Sequence, residues 1–318
     1  MKRVLFCFLS TFTLLALAGV IASAQQRLQV PQVSQKASVM QRIGLSEVSV
    51  VYSRPAMKGR KVYGDWPTEA KGEATLDNQN ARPKDAPLVP WGHVWRAGAN
   101  EATVFSVNDD VLINGQPLAA GSYLLAVIPS KDGEWTMIFN KDAEQWGAFS
   151  YDAGKDVLRV KAKSQWVADS QELLTYSIDT VSEDSANVNL RWEKAWVPFT
   201  VKVPDVSAKA LARLRIIVAA AKPTDWQTPN SAASYAKNNK ATEDAAKWYE
   251  QANKAIDEQI KAKPSFANLR QKFTILVNAG RNQEAIPAGE KAVEAGKAEK
   301  ADTAALEKRI ADIKTAKN

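Results

Sequence analysis

From about Ala37 to Val203, apolar side chains recur at alternate positions in short runs separated by turn residues. "SEVSVVYSR" sets Val48, Val50 and Tyr52 on one side and Ser49, Val51 and Ser53 on the other. A period of two puts successive side chains on opposite faces of a strand. "ATVFSV", "VLING", "SYLLAVIP", "EWTMIFN", "DVLRVKAK", "ELLTYSIDTV" and "ANVNLRWEKAWVPFTVKV" continue the pattern, rich in Val, Ile, Tyr, Phe and Trp. "INGQPLAAGSY" reads as strand, Asn114-Gly115 turn, strand, because that pair suits a hairpin with positive φ at both central positions. No helical pattern separates these runs, which predicts an antiparallel sandwich or barrel and not a parallel sheet. Trp192, Trp196 and Phe199 are expected in its core, with Val157, Leu158 and Val160 inward or half-buried.

The period then changes. "DVSAKALARLRIIVAAAK" brings Leu211, Leu214, Ile217, Val218 and Ala221 to one helical face, and Pro223 stops the helix. After a Pro-rich joint, five helical pieces follow. Pro229 fits a first turn, Thr242 is read as a cap with Glu243 and Asp244 at the positive end, and Ser265 caps a later helix. "EDAAKWYEQANKAI" and "QEAIPAGEKAVEAG" align with Ala245 over Ala285 and Ala252 over Ala292. That echo predicts two helix-turn-helix repeats of the tetratricopeptide kind, or a plain helical bundle. Pro287 and Gly289 are expected to weaken or kink the last repeat helix. The fold class is thus β plus α: an antiparallel β-sandwich, then a small helical repeat domain. The chain divides into 1–24, a leader; 25–205, the sandwich; 206–228, helix and linker; and 229–318, the tail.

The first residues supply the leader. Lys2 and Arg3 precede an apolar run, Val4 to Ile21, and Ala22-Ser23-Ala24 is a small-residue cleavage pattern. This predicts a secreted or periplasmic protein with no membrane span once the leader is cut. Cys7, the single cysteine, lies inside that run, so the remaining chain has no disulfide, thiolate nucleophile or metal thiolate. Charge matters only once divided. Residues 25–221 hold 23 basic and 22 acidic groups, and residues 222–318 hold 17 and 13, with Lys alternating with Glu and Asp. Mixed signs describe a solvated helical surface, which argues against nucleic acid as a partner.

Three segments stand apart: "YSRPAMKGRKVYG" (52–64), "WGHVWRAGANEAT" (91–103) and "NKDAEQWGAFSYDAGKDVLRV" (140–160). With "AGSYLLAVIP" they resemble the bacterial family called domain of unknown function 2911, over roughly residues 29–203. The resemblance implies an exported protein, with a helical tail of the kind some members carry. It implies no catalytic residues. The chain departs from the family's pattern in an extra polar segment between Gly64 and Val89, expected as a surface loop able to lid or obstruct a neighbouring pocket.

Within these segments the candidate ligand-binding residues are Arg54, Lys58, Arg60 and Arg96, planar or point-charge donors suited to carboxylate or phosphate. Trp91, Trp95 and Trp146 offer flat faces for a sugar, while His93, Asn100 and Glu101 add polar groups. A structural reading competes. An arginine entering a sandwich corner needs partners, because a buried unpaired charge is costly, and Glu101 is expected to pair with Arg54 or Arg96. Catalytic signals are weak. One histidine gives no His-rich metal site, and the chain has no HExxH, GxSxG or P-loop. Glu101 with Asp152 or Asp156 is a carboxylate pair of a kind most sequences contain. No cofactor or metal is expected. The sequence reads as a non-catalytic binding or scaffolding module, with a protein partner on the tail and a small anionic or glycan ligand on the sandwich. The alternative is a hydrolase-like enzyme or glycan/anion-binding protein centred on Arg54, Arg96 and Glu101.

Overall fold

The computed structural model describes residues 30–66 and 86–315, so the expected leader and most of the extra segment lie outside the described residues. Twelve strands come first: β1 (Lys36–Ile43), β2 (Ser46–Ser53), β3 (Tyr63–Gly64), β4 (Val89–Pro90), β5 (Val104–Val107), β6 (Val111–Ile113), β7 (Gln116–Leu118), β8 (Gly121–Ile128), β9 (Glu134–Asn140), β10 (Asp156–Lys163), β11 (Gln165–Ser182) and β12 (Ser185–Lys202). One antiparallel sheet runs β1-β2-β5-β8-β9-β10 and a second β11-β12-β6-β7. The short parallel pair β3-β4 lies apart. Val48, Val50, Phe105, Leu125, Met137 and Phe139 of the first sheet meet Val188, Leu190, Phe199 and Val201 of the second in one buried core. The Asn-Gly hairpin joins β6 to β7 with φ of +46° at Asn114 and +84° at Gly115. Asn114 also ties the sheets together, donating to the Lys161 carbonyl and accepting from Thr200 N–H.

The face of two residues corrects the sequence reading, one through a bulge in β12 and one through plain alternation in β10. Along β12 the inward residues are Ala186, Val188, Leu190 and Trp192, then Ala195, Val197, Phe199 and Val201. The parity switches at Glu193, which has φ +52° and sits where the β11 register slips. An inserted residue turns every later side chain to the other face. Trp196 therefore faces away from the core and donates its indole N–H to Asn189 Oδ1 at 2.8 Å. In β10 the alternation holds: Leu158 is half-buried and Val160 and Ala162 are buried, while Val157 shares the outward face of Arg159 and Lys161 and is exposed, so it cannot point inward beside its neighbour Leu158.

Six helices follow: α1 (Val206–Ala219), α2 (Gln227–Asn238), α3 (Thr242–Ala262), α4 (Phe266–Asn278), α5 (Asn282–Ala298) and α6 (Ala304–Thr315). The α1 stripe is narrower than expected. Leu211 and Val218 are buried, but Ile217 is exposed. Val206 packs on the sandwich core, and Gly44 lets it approach: a Cβ there would lie 2.6 Å from Val206 Cγ1. Beyond α1, Leu211 and Val218 join Ala232, Ala236, Trp248, Tyr249 and Ile256 in a second core. Phe273, Leu276, Ala285, Ala292, Leu306 and Ile310 form a third. The echoed alanines 245, 252, 285 and 292 are all buried between helices, which explains why they are small. Ser265 caps α4 as expected, accepting from Asn268 N–H, whereas Thr242 is already helical and Ala241 holds the cap position.

Pro287 and Gly289 do not break α5, which runs unbroken across them. Gly289 instead provides clearance. A Cβ there would lie 2.8 Å from both Phe273 Cδ2 and Ile310 Cδ1. Gly289→Ala should destabilise the third core by about 1–3 kcal/mol, because overpacking forces neighbours off their rotamers. A helical melt by circular dichroism checks it, and an unchanged or raised midpoint contradicts it.

At the sandwich–α1 joint, Asp109 accepts from Ser46 Oγ at 2.7 Å and faces Lys209 at 3.5 Å. The Ser46 hydrogen bond, then Lys209 and Arg213, hold its carboxyl below its ordinary range against a smaller opposing cost of burial. A depressed carboxylate stabilises the fold above its ordinary value of about 3.9, and that contribution fades as pH falls through the lower folded value. Ser46→Ala should therefore narrow the gap between urea midpoints measured at about pH 5.5 and about pH 2.5. An unaltered gap would contradict this assignment.

Candidate functional site

The segment from Trp91 to Thr103 is an upstream continuation of β5. Gly92 N–H donates to Pro129 O, and Trp95 exchanges two 2.8 Å hydrogen bonds with Val127. Thr103 O then accepts from Leu125 N–H, two residues back along β8. Residues 96–102 thus leave the sheet between two successive pairings and return. Several bonds pin this excursion. Ala97 O accepts from both Thr103 Oγ1 and the Tyr176 hydroxyl at 3.1 Å. Gly98 O accepts from Trp95 Nε1 at 3.2 Å, and Ala99 N–H donates to Ser53 O. Gly98 is itself pressed on its surroundings: a Cβ there would lie 2.5 Å from Thr103 Oγ1. Trp95 and Ala97 enter the inter-sheet core, while Val94 and Ala102 cover Leu124, Ala126 and Ile138 on the outer face of the first sheet.

The three motif segments meet around Ser53. Gly147 N–H donates to Asn100 O, Ala102 N–H donates to Gln145 O, and Trp146 bridges to Glu101. The expected charge pairing is not what holds them. Among the described residues Glu101 pairs with no guanidinium; it accepts from Ser53 Oγ at 3.3 Å. Arg54 donates from Nε to Leu174 O at 3.0 Å and from Nη2 to Thr175 Oγ1 at 2.8 Å. The reason is topological. Arg54 leaves the end of β2 beside β11, so the nearest acceptors are the main chain and hydroxyl of that strand. Asn100 Nδ2 donates to Ser34 O, Arg96 is half-buried and engaged, and Trp146 is exposed.

Lys58 and Arg60 lie elsewhere, on a tight turn against β11. Met57 N–H donates to Glu172 O, Lys58 N–H to Glu172 Oε1, and Leu174 N–H to Pro55 O. Arg60 curls back onto the carbonyls of Met57 and Ala56 at 3.0 and 2.6 Å. This segment covers part of the β11 edge that would otherwise show unpaired main-chain groups.

Trp91 and His93 belong to a different place again, the end of the sheet near the β8–β9 turn. A cleft of about 500 Å³ opens there between Trp91, His93, Ile128, Asp132, Thr136 and Lys161. His93 is 3% exposed, and its Nδ1 is buried with no hydrogen-bond partner among the described residues. Lys161 Nζ rests on Thr136 Oγ1 at 3.0 Å. Behind the cleft stands an aromatic cluster. Trp91 stacks on Tyr63 at 5.6 Å and 16°, and Tyr63 meets Trp135, Trp166 and Trp192 edge-on. Trp192 in turn stacks on Trp95 at 5.7 Å and 22°. Burial, with Glu193 adding repulsion, pushes the Tyr63 phenol well above its ordinary range, so it stays neutral. Burial does the same for Tyr176. The sequence reading missed Asp132, Thr136 and Lys161. The alternation of β9 and β10 sends Thr136 and Lys161 to the outer face as a cross-strand pair, and that was the available signal.

The carboxylates raised as acid–base candidates are engaged. Asp156 accepts from Asn140 Nδ2, the Tyr151 hydroxyl and Arg159 Nε at 2.6, 2.8 and 2.7 Å. Burial and that Asp156 bond push the Tyr151 phenol far up. Asp152 Oδ1 caps a 3₁₀ turn, Ala153–Lys155, by accepting from Gly154 N–H. Among the described residues no group of three His, Cys, Asp or Glu could hold a metal ion, and no helix is long and apolar enough to cross a membrane.

Residues 34–201 match the model of a family described as a protein of unknown function, DUF2911, and the chain belongs to that family. No curated protein and no solved structure matches the chain.

Proposed function

We propose that this is an exported, non-catalytic binding module, in which the sandwich takes a small ligand and the helical tail a protein partner. One observation carries this reading. Arg54, Arg60, Asn100 and Glu101 all direct their side chains to the main chain or to a neighbouring hydroxyl, and among the described residues none of them hydrogen-bonds to a second carboxylate. Hydrolysis by paired carboxylates needs two such groups flanking one bond. The leader-like residues 1–24 support export to the periplasm or beyond. On the tail, a groove of about 360 Å³ beside Lys237, Tyr249, Glu250 and Arg281 offers mixed charge to a protein surface.

The test pairs a thermal-shift ligand screen with a turnover screen over ester, peptide and glycoside substrates, on the native chain and on Glu101→Gln. The expected result is a saturable ligand-dependent shift retained by Glu101→Gln, with no turnover. Turnover that Glu101→Gln abolishes would establish the hydrolase alternative instead.

A further inference from the structure

We propose that the cleft beside Trp91 and His93 is a saccharide site, built for an uncharged pyranose unit, free or within a longer chain. The inference rests on the binding-module reading and gives it a place and a ligand class.

Four features point to this chemistry. First, Trp91 forms a fixed wall. It is half-buried, stacked on Tyr63, and flanked edge-on by Trp135 and Trp166 with centroids 6.3 Å away. A flat indole held in place presents apolar area at low entropic cost, which suits the C–H face of a sugar ring. Second, His93 lines the cleft with a buried ring nitrogen that has no partner among the described residues. A buried polar atom left unpaired costs free energy, and a turn of the imidazole toward the cleft would let a ligand hydroxyl, which both donates and accepts, supply its bond.

Third, the charge is balanced. Asp132 and Glu134 offer acceptors, and Lys161 and Lys131 offer donors. Lys131 is already paired with Asp65 at 2.5 Å. An anion would meet two carboxylates and a cation two ammonium groups. A neutral polyol can use both. Fourth, the volume lies in the range of small-molecule sites, with a mouth kept open at Gly92, where a Cβ would touch nothing within 4 Å.

The test is titration of the full chain, by calorimetry and tryptophan emission. The probes are glucose, galactose, N-acetylglucosamine, their α- and β-linked disaccharides and a soluble dextran. Glucuronate and inorganic phosphate serve as charged controls. At least one neutral sugar should bind saturably, shift the emission, and hold its affinity within twofold when salt is raised. Preference for a disaccharide or dextran over the monosaccharide would identify a chain end or internal unit as the ligand. His93→Phe and Lys161→Met should each weaken binding tenfold or more. Lys161→Met should not lower the unfolding midpoint, because Lys161 is exposed, and it carries the test if His93→Phe, at a buried position, lowers that midpoint. Trp91→Phe should weaken binding while keeping the aromatic wall.

The inference is overturned if no neutral sugar binds. It is also overturned if sugar binding survives all three substitutions, or if only glucuronate or phosphate binds and salt abolishes it. Any of these leaves the binding-module reading intact when the wider ligand screen yields a hit. Turnover lost in Glu101→Gln would instead sink that reading itself.

Discussion

Trp192→Ala is expected to lower the stability of the sandwich by about 3–5 kcal/mol, the range for removing a large aromatic from a packed core. The indole is 1% exposed, and three elements besides its own strand converge on it. It stacks on Trp95 from the motif segment, lies 6.4 Å from Tyr63, donates to Glu172 O at 3.2 Å, and packs with the inward residues of β12. Removing it leaves a cavity that Trp95 and Glu172 cannot move to fill, because each is held by a further bond of its own. Trp95 is fixed by its pairing with Val127, and Glu172 by the turn at Met57. No disulfide restrains the unfolded chain after residue 7, so the loss is not cushioned. Urea unfolding followed by near-ultraviolet circular dichroism measures the effect. A loss below about 1 kcal/mol would mean that the aromatic cluster is loosely packed. Trp196→Ala makes a matched control of equal chemistry on the outer face, and its cost should be clearly smaller.

Arg54→Ala is expected to cost about 2–3 kcal/mol, through two charge-assisted hydrogen bonds and the acceptors they leave behind. The guanidinium links the end of β2 to β11 across the two sheets, at Leu174 O and Thr175 Oγ1. Its main-chain N–H also holds Gln35 O at the head of β1. Arg54→Lys keeps the charge but has one nitrogen where two are used, so it should recover less than half of the loss. Full recovery by lysine would show that charge alone matters there.

These expectations separate what could be read from residues and what could not. The strands of the two sheets and the five tail helices follow from period two and period 3.6, which are local. The first strand, "KASVMQRI", escaped because Lys36, Ser38 and Arg42 dominate its exposed face and only Val39 and Ile43 are strongly apolar on the other. Trp196 was misplaced because a single bulge residue changes the face of all that follows, and nothing local at Glu193 announces it, whereas Val157 was misplaced by setting it on the same side as its neighbour Leu158. The meeting of the three motif segments around Ser53 could not be read from their composition, which shows shared Arg, Glu and aromatic character but no contact. Nor could their bonding, since which acceptor Arg54 meets depends on β11, some 120 residues away. The division of the candidates into a pinned corner and an open cleft was also hidden. His93 and Asn100 are close in sequence, yet the sheet carries one to the β8–β9 turn and the other to the Ser53 corner.

The arginine corner holds the two sheets together, which on the proposed reading leaves ligand chemistry to the cleft. A double-mutant cycle between Arg54→Ala and Thr175→Val tests it most directly, read as unfolding free energies. The account predicts a coupling of about 1 kcal/mol or more, as for side chains in direct contact. Additive effects near zero, with Arg54→Ala as stable as the native protein, would contradict it and return the guanidinium to the list of groups free to serve a ligand.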